Sequence, residues 1–173
     1  LAGWLSALEA SFIVFRLPPF FANIQKRLIK TPKLYFTEPG LAAWLLQIES
    51  AEQAARDPLL GGLFENMVIV EALKGAYNRG LEPRLSFYRD RTGLEIDLIR
   101  EYHRRPFAVE IKASGTFTRE MLRNIHRLRE LLPDREGEGL IYSGEDERRI
   151  DGVSLIPFTK TARLLFGSTT QGP

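Results

Sequence analysis

The pattern of hydrophobic and polar positions divides this chain into short elements of two kinds. Apolar residues that recur at helical spacing predict α-helices, and short apolar runs bounded by turn residues predict β-strands. From residue 58 onward the predicted order is helix, strand, strand, strand, helix, strand, strand, helix. The elements lie at 63–77, 85–88, 94–99, 107–112, 118–132, 139–142, 153–156 and 159–166. The stripe that indicates the first helix consists of Leu63, Met67, Val70, Leu73 and Tyr77.

The order of these elements predicts an α/β fold with a mixed β-sheet flanked by helices on both faces. The strands at 107–112 and 139–142 enclose a helix, so they are predicted to be parallel and joined by a right-handed crossover. The strands at 85–88 and 94–99 are joined by a tight turn ending at Gly93, so they are predicted to be antiparallel.

Residues 1–47 form a separate compositional unit with the predicted order helix, strand, basic loop, strand, helix. Its helices and strands lie at 4–9, 11–15, 33–37 and 41–48, and the basic residues between the strands are Lys26, Arg27, Lys30 and Lys33. This order is the tail end of a winged-helix pattern. An equally weighted interpretation is a helix and hairpin packed on the rest of the chain, with a solvated basic loop.

A polar, alanine-rich stretch at 49–57 predicts a linker or a short helix, and the unit boundary is placed there. The resulting organisation is a winged-helix remnant with linker at 1–57, an α/β domain at 58–167 and a disordered tail at 168–173. Because Leu1 almost directly precedes a predicted helix, we expect the chain to be a piece of a longer protein.

The amino-acid composition excludes several kinds of site and does not by itself indicate a function. The 173 residues are 44% hydrophobic and 27% charged, an ordinary globular balance, and the net charge is only +2. A nucleic-acid surface would therefore require local clustering of basic residues. The absence of cysteine excludes disulfides and thiolate zinc sites, and two histidines argue against a multi-histidine site. No apolar run is long enough to span a bilayer and no secretory signal is present, so a cytoplasmic location is expected.

Two acid-bearing tripeptides stand in neighbouring predicted strands: Glu-Ile-Asp at 95–97 and Glu-Ile-Lys at 110–112. Side chains alternate faces along a strand, which predicts that Ile96 and Leu98 share one face while the acids of the first tripeptide share the other. Carboxylates within apolar strands are costly to bury unless they are paired or bound to a metal. This pattern therefore indicates either a metal site or a salt-bridge network.

The metal interpretation assigns a role to each residue. Asp97 and Glu110 hold Mg²⁺ or Mn²⁺ through hard oxygen ligands, and the carbonyl of Ile111 could add a third. Lys112 lies roughly 6–7 Å along the strand from Glu110 and positions a water or meets transition-state charge. Glu65, on the preceding helix, completes the ligand set. A helix-dipole role for that glutamate and a metal-free lysine–carboxylate network remain alternatives.

These residues resemble the PD-(D/E)XK nuclease superfamily, which has a restriction-endonuclease-like fold, although Ile96 replaces the proline of that motif. Nearly the whole chain also resembles domain of unknown function 4143, a C-terminal region of AAA+ type ATPases that follows a winged helix. The segments that carry this resemblance are Leu17–Phe20, Lys26–Leu28, Pro32–Phe36, Gly40–Ala42, Gly62–Asn66, Tyr88–Asp90, Gly93–Asp97 and Val109–Lys112. No Walker A glycine loop occurs, so ATP is not expected to bind this chain.

The resemblance implies a nuclease-like domain of an AAA+ type ATPase that binds nucleic acid, with DNA favoured over RNA. If active, it would be a Mg²⁺-dependent endonuclease or exonuclease. Its partners would be nucleic acid and the N-terminal ATPase core of the same chain, and oligomerisation is left open. The alternative is a catalytically inactive module that regulates the ATPase through protein contacts.

Basic side chains near the acids are candidates for phosphate contact, and Glu95 is ranked as a supporting acid. The candidate contact residues are Arg89, Arg119, Arg123, Lys26 and Arg27. For the helical arginines the competing interpretation is an ordinary solvated helix face.

Overall fold

A computed structural model describes residues 2–20 and 31–167 of this chain. Three of the basic residues assigned to the loop, Lys26, Arg27 and Lys30, lie outside the described residues. The predicted tail at 168–173 lies outside them as well.

In the described ranges the chain forms the predicted helices and strands in the predicted order, with one further short strand at Arg148–Ile150. The helices are α1 (Ala2–Ala10), α2 (Pro39–Leu45), α3 (Ala51–Ala54), α4 (Leu60–Tyr77), α5 (Arg123–Arg129) and α6 (Thr161–Phe166), with single 3-10 turns at Arg119–Leu122 and Phe158–Lys160. The strands are β1 (Val14–Leu17), β2 (Lys33–Phe36), β3 (Leu85–Arg89), β4 (Glu95–Tyr102), β5 (Arg105–Lys112), β6 (Gly137–Tyr142), β7 (Arg148–Ile150) and β8 (Val153–Pro157). None of the described helices is long and apolar enough to cross a membrane.

Six strands form one mixed sheet in the order β3-β4-β5-β6-β8-β7. The antiparallel pairing of β3 with β4 and the parallel pairing of β5 with β6 are confirmed. The edge strand β7 was not predicted, because its sequence Arg148–Ile150 is polar and largely exposed. Its strand conformation depends on antiparallel pairing with β8, and the two-residue Asp151-Gly152 turn between these strands was the available local signal.

The N-terminal unit forms a separate antiparallel hairpin of β1 and β2, in which Leu17 faces Lys33. The first strand begins at Val14, so the predicted strand at 11–15 was placed about three residues too early. The chain after β1 then joins the edge of the main sheet, where Phe20 N–H donates to the Phe87 carbonyl at 2.6 Å and Phe87 N–H donates to the Pro18 carbonyl at 3.1 Å. The hairpin is thereby fixed against β3.

Two apolar cores cover the two faces of the sheet. Buried residues of α4 and α6, such as Val68 and Leu165, belong to the first core, and Leu17 and Tyr35 of the hairpin join it. The second core contains buried residues of α5, such as Leu128. Helices therefore flank the mixed sheet on both faces, as predicted.

One irregularity in β4 changes which side chains share a face. The β3–β4 register shifts so that Phe87 alone faces two residues, Asp97 and Leu98. Ile96 consequently belongs to the second core and Leu98 to the first. The prediction that Ile96 and Leu98 share a face was wrong, because a β-bulge inserts one residue and reverses the alternation that follows it.

Candidate functional site

Asp97 stands in the β4 bulge, at the point where β4 and β5 part. The last paired residues of these strands are Leu98 and Val109. Beyond them, Asp97 Oδ2 accepts a hydrogen bond from the backbone N–H of Ile111 at 2.8 Å. The carboxylate thus satisfies a strand N–H that the separated β4 backbone leaves free, and its side chain is only 13% exposed.

Glu110 and Lys112 lie beside Asp97 on β5. Lys112 Nζ donates to Glu110 Oε2 at 2.6 Å and lies 3.7 Å from Asp97 Oδ2. The Glu110 side chain is 1% exposed. Its second oxygen, Oε1, is buried and accepts no hydrogen bond from the residues that the structure describes. The fold therefore brings together the three residues at the centre of the sequence-based site.

Glu65 reaches the same region from α4, where it meets the N-terminal hairpin. Its Oε1 accepts hydrogen bonds from Lys33 Nζ at 2.7 Å and from the Tyr35 hydroxyl. Lys33 Nζ also lies 2.6 Å from Glu95 Oε1 and 4.0 Å from Asp97 Oδ1. One ammonium group of the hairpin thus joins the carboxylates of α4 and β4.

Burial and the charges of neighbouring carboxylates perturb the ionisation of the two central acids. Burial raises the pKa of Asp97, and the Lys112 charge offsets part of that rise. Burial, the neighbouring Asp97 charge and a hydrogen bond with the Asp97 carboxyl together raise the pKa of Glu110 to about 8, against the opposing effect of Lys112. For Lys33 and Lys112 burial alone would lower the pKa, but the surrounding carboxylates outweigh it and raise both pKa values.

The donor chemistry of this cluster suits a hard divalent cation. Oxygen ligands from carboxylates are what Mg²⁺ and Mn²⁺ prefer, and a cation would relieve both the unpartnered Oε1 of Glu110 and the raised carboxyl pKa values. In the arrangement described, lysine ammonium groups lie among the acids, and no three metal-binding side chains of residues 2–20 and 31–167 are grouped as an ion would need. A bound cation would therefore require these lysines to withdraw and the carboxylates to come closer together.

Two contributors were not recognised from the sequence. Lys33 was counted as part of a basic loop, and Tyr35 was given no role; both belong to β2 and contact Glu65. Their spacing of two residues, which puts Lys33 and Tyr35 on one face of a strand, was the available signal. That signal does not say which surface the hairpin would meet.

The three candidate phosphate-contacting arginines that the structure describes are each paired with an acid. Arg89 forms a two-fold hydrogen bond with Glu95 at 2.8 and 2.7 Å, which places both at the edge of the acid cluster. Arg119 Nη1 lies 3.3 Å from Oδ2 of Asp151 in the β7–β8 turn, and Arg123 Nη1 lies 2.7 Å from Glu120 Oε1. Lys26 and Arg27 fall outside the described residues.

Comparison with known families and proteins gives two kinds of match. A family model described as Domain of unknown function (DUF4143) matches residues 60–161, and one described as Domain of unknown function (DUF8612) matches residues 1–52. Uncharacterized protein Mb2031c of Mycobacterium bovis and Uncharacterized protein Rv2008c of Mycobacterium tuberculosis are each 37% identical to this chain over 114 residues. Each match covers 65% of this chain and 25% of the relative, so the matched region is a quarter of those proteins.

Proposed function

This chain belongs to the family of domain of unknown function 4143, and on that premise we propose that its acid cluster is the metal site of a PD-(D/E)XK nuclease-like domain. The domain binds nucleic acid, with DNA as the favoured substrate, and hydrolyses phosphodiesters with Mg²⁺ or Mn²⁺. The N-terminal unit is a winged-helix remnant, and the region works beside an AAA+ type ATPase core. The ATPase association follows from the family resemblance, and relatives about four times as long as the matched region are compatible with it.

The observation that carries the proposal is the bulge at Asp97. A bulge re-aims a side chain at the expense of ladder hydrogen bonds, and bulges are common next to active sites. Here it directs a carboxylate between two parting strands, beside a buried glutamate with an unpartnered oxygen. A site that served stability alone would not need to bury Glu110 with an oxygen left unsatisfied, since such burial costs free energy.

The roles follow from the atoms available. Asp97 Oδ1, Glu110 Oε1 and Glu65 would hold the cation, which when bound supplies an activated water and electrophilic stabilisation of the phosphate. Lys112 remains protonated, because its pKa is raised, so it orients the attacking water and neutralises charge developing on the phosphate. Arg89, at the rim of the cluster, contacts the adjacent phosphate.

A cleavage assay with matched variants tests this proposal. The chain is incubated with single- and double-stranded DNA and RNA in Mg²⁺ or Mn²⁺, and we expect cleavage that Asp97→Asn and Lys112→Met each reduce at least about 100-fold. Lys74→Met is the control, because it removes an exposed lysine paired with Glu71 on α4. Equal cleavage by all four proteins would show that any activity lies elsewhere.

A second candidate function is a metal-free module that regulates the ATPase through protein contacts. The observation that favours it is the pairing of the acids with lysines: Lys33 with Glu65 and Glu95, and Lys112 with Glu110. Calorimetric titration separates the two candidates. Heat of Mn²⁺ binding that Asp97→Asn abolishes supports the metal site, and no binding at millimolar Mn²⁺ supports the regulatory module.

A further inference from the structure

Lys33 is placed unlike any other lysine of the described residues. It belongs to the N-terminal hairpin, yet its ammonium group contacts carboxylates of both α4 and β4. Its side chain is 15% exposed. A lysine on the surface of a hairpin ordinarily extends into water, so the tertiary contacts must hold it here.

The oxygens that face Lys33 are the ones a divalent cation would use. Asp97 Oδ2 already accepts from Ile111 N–H and lies near Lys112, whereas its Oδ1 faces the hairpin. That Oδ1 and Glu65 Oε1 both face Lys33 Nζ, at 4.0 and 2.7 Å. A cation bound to these two oxygens would lie within about 4 Å of a second positive charge, which strongly opposes its binding.

The hairpin that carries Lys33 is anchored to the α/β domain on both of its sides. The side chain of Asn66 on α4 accepts from Phe36 N–H at 2.8 Å and donates to the Phe36 carbonyl at 2.7 Å. Leu17 and Tyr35 are buried in the core between the sheet and α4. Lys33 is therefore held at the acids by backbone anchoring, and its own ion pairs add to that anchoring.

We infer that Lys33 is a tethered counter-ion that keeps the acid cluster in a metal-free state and must withdraw when a divalent cation binds. This is an intramolecular inhibition of the proposed site, and it rests on the proposed function. Through the hairpin, whatever displaces β2 from α4 raises the affinity of the acids for the cation. The N-terminal unit thus controls the chemistry of the neighbouring domain.

The direct test is calorimetric titration of Mn²⁺ into the wild-type chain and the Lys33→Met variant. Removing the ammonium lowers the dissociation constant by about tenfold or more, because one unit of opposing charge a few ångströms from the cation disappears. Lys74→Met serves as the matched control and leaves the dissociation constant unchanged. Its lysine is 55% exposed and pairs with Glu71 on the same helix that carries Glu65.

Removing the Lys33 ammonium leaves the carboxylates of Glu65, Glu95 and Asp97 with one fewer positive charge beside them. The folding of each variant is therefore measured in parallel. If Lys33→Met does not fold without metal, Lys33→Gln replaces it, because the amide can still donate to Glu65. Thermal unfolding with and without Mn²⁺ gives a second readout: the metal stabilises either variant more than it stabilises the wild type.

The outcomes separate the inference from the function it rests on. Tighter Mn²⁺ binding in the Lys33 variants, with Lys74→Met unchanged, supports the inference. Equal affinity in wild type and Lys33 variants overturns the inference and leaves the metal site standing. No Mn²⁺ binding in any of these proteins overturns both.

Discussion

At the scale of single residues, the burial of the Glu110 carboxyl group is energetically unfavourable. A carboxyl group that is 1% exposed, with one oxygen unpartnered, resists ionisation. Asp97 beside it differs, because one of its oxygens accepts a backbone N–H that favours the charged form. The two acids are neighbours in space but have different hydrogen-bond environments. Substitutions at the two positions are therefore expected to have different effects.

The first prediction concerns the pH dependence of stability. The pKa of Glu110 is raised from 4.5 to about 8, so the folded state keeps a proton that the unfolded state releases. The contribution of Glu110 to the free energy of unfolding is therefore full below pH 4.5, and it is lost as pH rises through 8. In Glu110→Gln this loss is absent, and we expect the variant to be more stable than wild type by roughly 1–3 kcal/mol near pH 9.

Urea unfolding in metal-free buffer between about pH 4 and 9 measures this difference. The exposed Glu120 provides the matched control, since Glu120→Gln removes a carboxylate whose side chain is 70% exposed. A Glu110→Gln variant that is less stable than wild type at the alkaline end would contradict the raised pKa.

The second prediction isolates the hydrogen bond of Asp97. Asparagine keeps an oxygen for the Ile111 N–H, whereas alanine leaves that buried donor unsatisfied. Both substitutions remove the same negative charge. We therefore expect the free energy of unfolding of Asp97→Ala to be roughly 1–3 kcal/mol lower than that of Asp97→Asn. Equal stability of the two variants in urea would show that water or another group satisfies Ile111 equally well.

At the scale of elements, helix α4 shows how packing overrides a sequence pattern. The predicted stripe of large apolar residues ends at Tyr77, which is 65% exposed. The fully buried residues of α4 are Val68, Ile69, Ala72 and Ala76. Gly75 lies beside them against Ala162 of α6, and hydrophobicity alone does not reveal such a close approach of two helices.

The third prediction tests that close approach. A Cβ added at Gly75 would lie 2.7 Å from the Cβ of Ala162 on α6, closer than packed atoms tolerate. We expect Gly75→Ala to lower the free energy of unfolding by roughly 1–3 kcal/mol, because the two helices must separate. Gly61→Ala, where nothing lies within 4 Å, is the control in the same helix and leaves stability unchanged or slightly raised. Thermal unfolding that ranked the two variants equally would exclude tight α4–α6 packing.

At the scale of the whole molecule, the N-terminal hairpin and the six-stranded sheet share one core. Leu17 of β1 and Tyr35 of β2 belong to the same buried cluster as Val109 and Ile111 of β5. Contacts of this kind make local unfolding of the hairpin costly, and they explain how a lysine outside the α/β domain can be held at its acid cluster.

The fourth prediction follows from the shared core. Leu17 is 2% exposed, and Leu17→Ala is expected to cost roughly 2–5 kcal/mol. Because the hairpin and the sheet unfold together, hydrogen exchange of β2 and β5 amides should accelerate by the same factor in this variant. The exposed Leu34 offers a control, since Leu34→Ala removes a side chain of the same strand pair that is 50% exposed. Faster exchange confined to β2 would mean that the hairpin opens independently.

The sequence by itself determined the order of the elements other than β7, the mixed sheet and the set of acids, because periodicity and turn residues are local properties of the chain. It identified Asp97, Glu110, Lys112 and Glu65 as a group. The tertiary structure decided which atoms face one another. The bulge that aims Asp97 and the arrival of Lys33 among the carboxylates depend on how separate strands and helices pair and pack, which the pattern of apolar positions does not encode.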